Sequence, residues 1–178
     1  MTEKTITITE ALAELKTIGK RIQSKQAFIR ENVIRQENLR DPLEKQGGSP
    51  KLVSEEGQSI VDLCARVVKI RIAIQQANNS HSIRIGEWEQ TIAEWLVWRR
   101  EVLPFQLKYM QGLLNLIHDT RDSSGTRGRR MMNEESKIDY VVNLDENALR
   151  SEVEFIQEVE GQLDGQLSLK NATITVTV

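Results

Sequence analysis

Apolar residues recur at intervals of three and four along most of the chain, and the clearest run is Ile60, Leu63, Val67, Ile70, Ile74 and Ala77. That spacing puts all six on one seam of a helix, which needs a second seam to cover it. Three further segments carry comparable patterns. Leu12, Leu15, Ile18, Ile22 and Ile29 predict a helix running to about Val33 or Ile34, with Thr7 and Glu10 spaced as a capping box and Thr9 as an alternative cap. Trp88, Ile92, Trp95, Leu96, Val102, Leu103, Tyr109, Met110, Leu113, Leu114 and Ile117 predict a helix over 87–117, with Trp88 and Trp95 on one seam and Pro104 kinking or dividing it. Leu149, Val153, Ile156, Leu163 and Leu167 predict a last helix, capped by Asn143 or Asp145.

Between the first two helices, Pro42, Pro50 and the Gly47-Gly48 pair break the pattern and predict a loop, with the second helix starting near Ser54 and stopping at Ala77. Helices joined in this way most simply pack antiparallel, which sets Leu15, Ile22 and Ile29 opposite the Ile60–Ala77 seam. A second period, of two, marks short strands: KTITIT from Lys4, HSIRI from His81, IDYVVNL from Ile138, and the closing NATITVTV. The two Thr-rich strands can pair with each other, with HSIRI, or with an identical strand of another subunit.

The expected fold is mainly α: an elongated antiparallel helical hairpin or bundle with coiled-coil character, plus short β-strands at the termini and mid-chain. Its parts are a strand and helical hairpin over 1–80, a strand and tryptophan-bearing helix over 81–118, a basic loop over 119–136, and a strand, helix and terminal strand over 137–178. All four are read as one domain.

Composition agrees with buried stripes rather than a buried centre, since only 4% of the 178 residues are aromatic while 28% are charged. The 24 basic and 26 acidic residues are mixed along the chain, so no overall field draws it to nucleic acid or an anionic membrane. No stretch reads as a signal peptide or a membrane span, and a soluble protein made in the cytoplasm is expected. Cys64, beside the main seam, is expected to be a buried, inert thiol. His81 and His118 have no ligand set at metal spacing, and dinucleotide, P-loop and nucleophile motifs are missing. The chain is therefore read as non-enzymatic, with no cofactor, metal or small-molecule substrate. The residues expected to make protein contacts are Trp98, off the tryptophan seam; the basic cluster Arg127, Arg129 and Arg130; and Ile174 and Val176 in the last strand.

Four segments together carry a family resemblance: TEALAELKTIGKRI near the start, SIRIGEWEQTIAEWLVWRRE in the middle, VNLDENALRSEVEFIQEVEGQLDGQL, and the closing NATITV. The chain resembles small helical structural proteins of tailed-bacteriophage virions and, more distantly, a septicolysin-like bacterial family of helical-hairpin proteins. The three tryptophans, Pro104 and the longer basic segment depart from that pattern. The resemblance implies a virion structural protein made in the host cytoplasm, capsid-associated or at a head–tail junction, forming homo-oligomers and contacting other virion proteins. It implies no catalytic residue. A cytosolic coiled-coil adaptor or assembly chaperone is the alternative expectation.

Overall fold

The computed structural model describes the backbone of residues 4–130 and 140–178, and the side chains of 4–122 and 140–178. The chain is mainly helical with short antiparallel strands, as the two periods in the sequence predict. It divides into two compact units, Met1–His81 with Ser168–Val178, and Ser82–Leu167.

In the first unit, strand β1 (Thr5–Thr7) pairs antiparallel with β4 (Thr175–Thr177), setting Ile6 opposite Val176. Of the three pairings open to the Thr-rich strands, the chain adopts the one with itself. Reciprocal backbone bonds between Lys4 and Val178, and one from the Ile8 N–H to the Ile174 carbonyl, extend the ladder at both ends. Strict alternation buries Ile6, Ile174, Val176 and Val178 and leaves Thr5, Thr175 and Thr177 outside. Helix α1 (Ile8–Asn32) starts directly from β1 through the predicted capping box: the Thr7 hydroxyl accepts from the Glu10 N–H at 3.2 Å, and the Glu10 carboxylate accepts from the Thr7 N–H at 2.7 Å.

Helix α2 (Ser49–Ser80) is longer than predicted at both ends. Pro50 lies in its first turn, where no intrahelical N–H is missed, and Asp41 from the loop accepts from both the N–H and hydroxyl of Ser49 at 2.7 and 2.6 Å. At the other end His81 Nδ1 and the Ser80 hydroxyl lie 2.9 and 3.1 Å from the Ala77 carbonyl, which lets Asn78, Asn79 and Ser80 remain helical. Glu14 pairs with Arg66 and Lys25 with Glu56. Rising numbers in α1 meet falling numbers in α2, so the hairpin is antiparallel. Along the predicted seam Ile70, Ile74 and Ala77 are buried and Ile60, Leu63 and Val67 half-buried; Leu15, Ile22 and Ile29 of α1 are half-buried too.

The second unit opens on a hairpin of which the alternation in HSIRI predicts one strand. Strand β2 (Ser82–Ile85) matches HSIRI, but Trp88–Thr91 is a strand, β3, and not the start of a helix. The two strands pair from Ser82↔Thr91 to Ile85↔Trp88 around Gly86, whose φ of 58° suits glycine in the turn. Helix α3 (Ile92–Val97) then begins from a second capping box, Thr91 with Glu94. A π-helical turn over Trp98–Val102 leads into α4 (Leu103–Arg130), with the Leu103 N–H reaching back to the Trp98 carbonyl. Pro104 has no N–H and its ring crowds the carbonyl four residues earlier, so a widened turn just ahead of it is the expected accommodation.

Helix α5 (Glu146–Thr173) is capped by Asp145, which accepts from the N–H groups of Asn147 and Ala148. Within this unit Arg99 pairs with Asp164 and Arg121 with Glu146, an antiparallel arrangement around a core of Leu103, Met110 and Ile156.

Two expectations are corrected. Residues 119–130 are helix, not loop: α4 continues through them, with the Thr120 hydroxyl bonded to the Leu116 carbonyl and Arg121 tied to the start of α5. Residues 131–136 lie outside the described residues. The strand expected over 138–144 does not form over 140–144, where among the described residues no strand pairs with it and Val141 is 82% exposed; 138 and 139 lie outside the described residues.

Candidate interaction surfaces

The residues singled out for protein contact fall in different environments. Trp98 is half-buried in the π-turn, packs against the Leu103–Met110–Ile156 core, and meets Trp95 edge-on with ring centroids 5.5 Å apart. Trp95 is buried and its indole N–H donates to the Ile83 carbonyl at 3.0 Å, joining α3 to β2. Trp88, placed by β3 and not by the helical seam, is the open tryptophan; its ring meets Phe155 edge-on at 5.6 Å. Ile174 and Val176 are buried in the first unit, facing inward from β4 and the residue before it. Arg127, Arg129 and Arg130 are carried by the end of α4, and their side chains lie outside the described residues.

Other apolar side chains make up the surface, and they follow helical spacing. On α4 Phe105, Tyr109 and Leu116 are 75%, 66% and 63% exposed, with Gly112 on the same stripe. Steps of four, three and four are those of a coiled-coil seam, here on the side of α4 away from its own buried Leu103, Met110 and Ile117. On α2 Val61, Val68 and Ile72 are 59%, 56% and 50% exposed, with Ala65 exposed between them. This is again a four-three-four stripe, displaced around the helix from the Ile70–Ile74 seam. Cys64 lies at its edge and is exposed, which corrects the buried thiol expected: a position one residue beyond Leu63 is turned about 100° away from the hairpin contact.

Several charged groups on these helices are engaged in short pairs. Arg66 holds the Glu14 carboxyl below its ordinary range through two hydrogen bonds of 2.8 and 3.2 Å. Arg150 and then Arg121 do the same for Glu146. A surface groove lined by Lys4, Glu10, Arg21 and the Glu14–Arg66 pair carries no uncompensated cluster of one sign. Among the described residues no three His, Cys, Asp or Glu side chains are placed to hold a metal ion, and no helix is long and apolar enough to cross a membrane.

No family model matches the chain, and no curated protein matches it. A crystal structure of a functionally unknown conserved protein from Corynebacterium diphtheriae is similar, with a TM-score of 0.57 and 18% sequence identity over 97% of this chain and 99% of that one. At that identity the likeness is one of fold.

Proposed function

We propose that this chain is a non-enzymatic assembly protein that works by binding other protein chains through exposed helix faces. The observation that carries the reading is the α4 stripe. Phe105 and Tyr109 are large aromatic groups standing in water at seam spacing, and aromatic side chains of this kind dominate the energetics of protein contacts when covered. Leaving them uncovered costs solubility without stabilising the fold, so a covering surface gives them a purpose. Burying such a stripe contributes roughly 25 cal/mol for each square ångström of apolar surface removed from water.

The tailed-phage virion is the setting that the resemblance implies for this assembly role. In that setting the protein contacts its own copies and neighbouring virion proteins. The fold likeness to a bacterial chain of unknown function neither adds to nor detracts from that setting.

Two measurements test the proposal at its two levels. Replacing Phe105→Ser and Tyr109→Ser together should leave the helical content unchanged and abolish the association carried by α4, read as mass in solution by light scattering. Unchanged association would remove α4 as the binding face. Presence of the protein in purified particles supports the virion setting; presence only in lysate, with none in particles, sinks it and favours the adaptor or assembly-chaperone role.

A further inference from the structure

We infer that α2 pairs antiparallel with α2 of a second copy of this chain, through the stripe Val61, Ala65, Val68 and Ile72. This rests on the assembly reading above and specifies one partner for a face other than α4.

The stripe is self-complementary when one helix is reversed. Val61 then lies opposite Ile72 of the second copy and Ala65 opposite its Val68, and the same pairs recur across the two-fold axis. Antiparallel coiled coils form their core layers in this way, from the two alternating seam positions. The match continues outward. The next seam positions place Gln58 opposite Gln75 and Ser54 opposite Asn79, all four exposed, so apolar meets apolar at the centre and polar meets polar at both ends. A small residue opposite a larger one, Ala65 against Val68, lets the backbones approach closely at the middle of the contact.

Charge decides between the two helix directions. Asp62 and Lys69 occupy equivalent flanking positions on one side of the stripe, and Arg71 and Cys64 flank the other side. In an antiparallel pair, like flanks face each other, so Asp62 of each copy meets Lys69 of the other, giving two symmetric ion pairs. Within one chain Asp62 accepts the Gln58 amide at 3.0 Å, and among the described residues neither Asp62 nor Lys69 has an ion-pair partner. A parallel pair would instead set Lys69 against Cys64 and Arg71 against Gln76, and no opposite charges would meet. The apolar centre is self-complementary in the same direction in which the flanking charges are. Two-fold association of this kind is closed, so it ends at a dimer through this face.

Cross-linking reads the direction of pairing. Val61→Cys and Ile72→Cys are made separately, each with Cys64→Ser, and oxidised alone and as an equal mixture. In an antiparallel pair Val61 of one copy is about 16 Å along the helix from Val61 of the other, at roughly 1.5 Å per residue over the eleven-residue offset, beyond the ~7 Å that a disulfide allows between Cα atoms. The expected result is a covalent dimer in the mixture and none from either variant alone. Self-linking of the Val61→Cys variant would show parallel pairing and overturn the inference. No covalent dimer in any sample, while the wild type associates in solution, would overturn the α2 contact and leave the assembly reading standing; a wild type that stays monomeric removes both. In a second arm, Asp62→Lys should raise the dimer dissociation constant about tenfold, by replacing attraction with repulsion in two pairs, and adding Lys69→Asp should restore it. Both residues are exposed, so far-UV circular dichroism should be unchanged. Failure of the second exchange to restore association would rule out this register.

Discussion

Replacing Trp95→Phe should destabilise the second unit by about 1.5–3 kcal/mol. The ring is one of the largest fully buried side chains, and its N–H donates to the Ile83 carbonyl in a buried hydrogen bond of 3.0 Å. Phenylalanine keeps a six-membered ring but removes the donor and the five-membered half of the indole. The Ile83 carbonyl keeps its ladder partner Gln90 in the β2–β3 hairpin, so the change removes one of its two hydrogen bonds, worth about 0.5–1.5 kcal/mol. The cavity left by the missing ring atoms, where the surrounding side chains relax only in part, adds about 1 kcal/mol or more. Urea unfolding followed by far-UV circular dichroism measures the loss, with the slope of the transition checked for a change in cooperativity between the two units. Trp88→Phe is the internal control. That ring is half-exposed and its edge contact with Phe155 is worth about 0.5–1.5 kcal/mol, so its replacement should cost clearly less. A Trp95→Phe cost below about 0.5 kcal/mol, or one equal to that of Trp88→Phe, would refute the view that the indole bridge fastens α3 to the β2–β3 hairpin.

Three further outcomes are expected. Ile70→Ala should cost about 2–5 kcal/mol and Ile72→Ala, measured at low protein concentration, less than about 0.5, because two residues of one type on one helix face opposite environments; equal costs would mean that the faces of α2 are assigned wrongly. Thr7→Ala should cost about 1 kcal/mol through loss of the cap on α1, seen as a lower urea midpoint. Stability should fall in acid. Capping bonds to Thr7 and Thr91 hold the Glu10 and Glu94 carboxyls below the usual carboxylate range, and Arg66 does the same for Glu14, so their contribution is complete above that range and is lost as pH falls through the lowered folded values. Thermal melts between pH 7 and pH 3 should show this acid limb, and Glu10→Gln with Glu94→Gln should flatten it; melts independent of pH over that range would contradict the capping account.

The helical seams and the first capping box were legible because each is a local device. Thr7 and Glu10 bond to each other whatever the rest of the chain does, and the Ile70–Ile74 seam shows in its spacing that one face of α2 is covered, here by α1. The second capping box, Thr91 with Glu94, repeats the Thr-Ile-x-Glu spelling of the first, and that echo was the signal for β3. It was masked by Trp88, whose four-residue distance from Ile92 also fits a helix. Pro50 predicts a helix break by residue type, but in the first turn of a helix its missing N–H has no consequence, and the cap from Asp41 comes from eight residues before Ser49. Strand propensity over 140–144 came to nothing since a strand needs a pairing edge, which propensity alone does not supply. The exposed stripes on α2 and α4 share their helices with the buried seams. On α4 Tyr109 fits the same helical rhythm as Met110, and three-four spacing alone does not separate the covered face from the open one.

Association through exposed helix faces is read from the mass of the wild-type chain in solution. Multi-angle light scattering across a hundredfold range of concentration should show the weight-average mass rising from that of one chain to that of two or more. A mass that stays at one chain across the whole range would contradict the account.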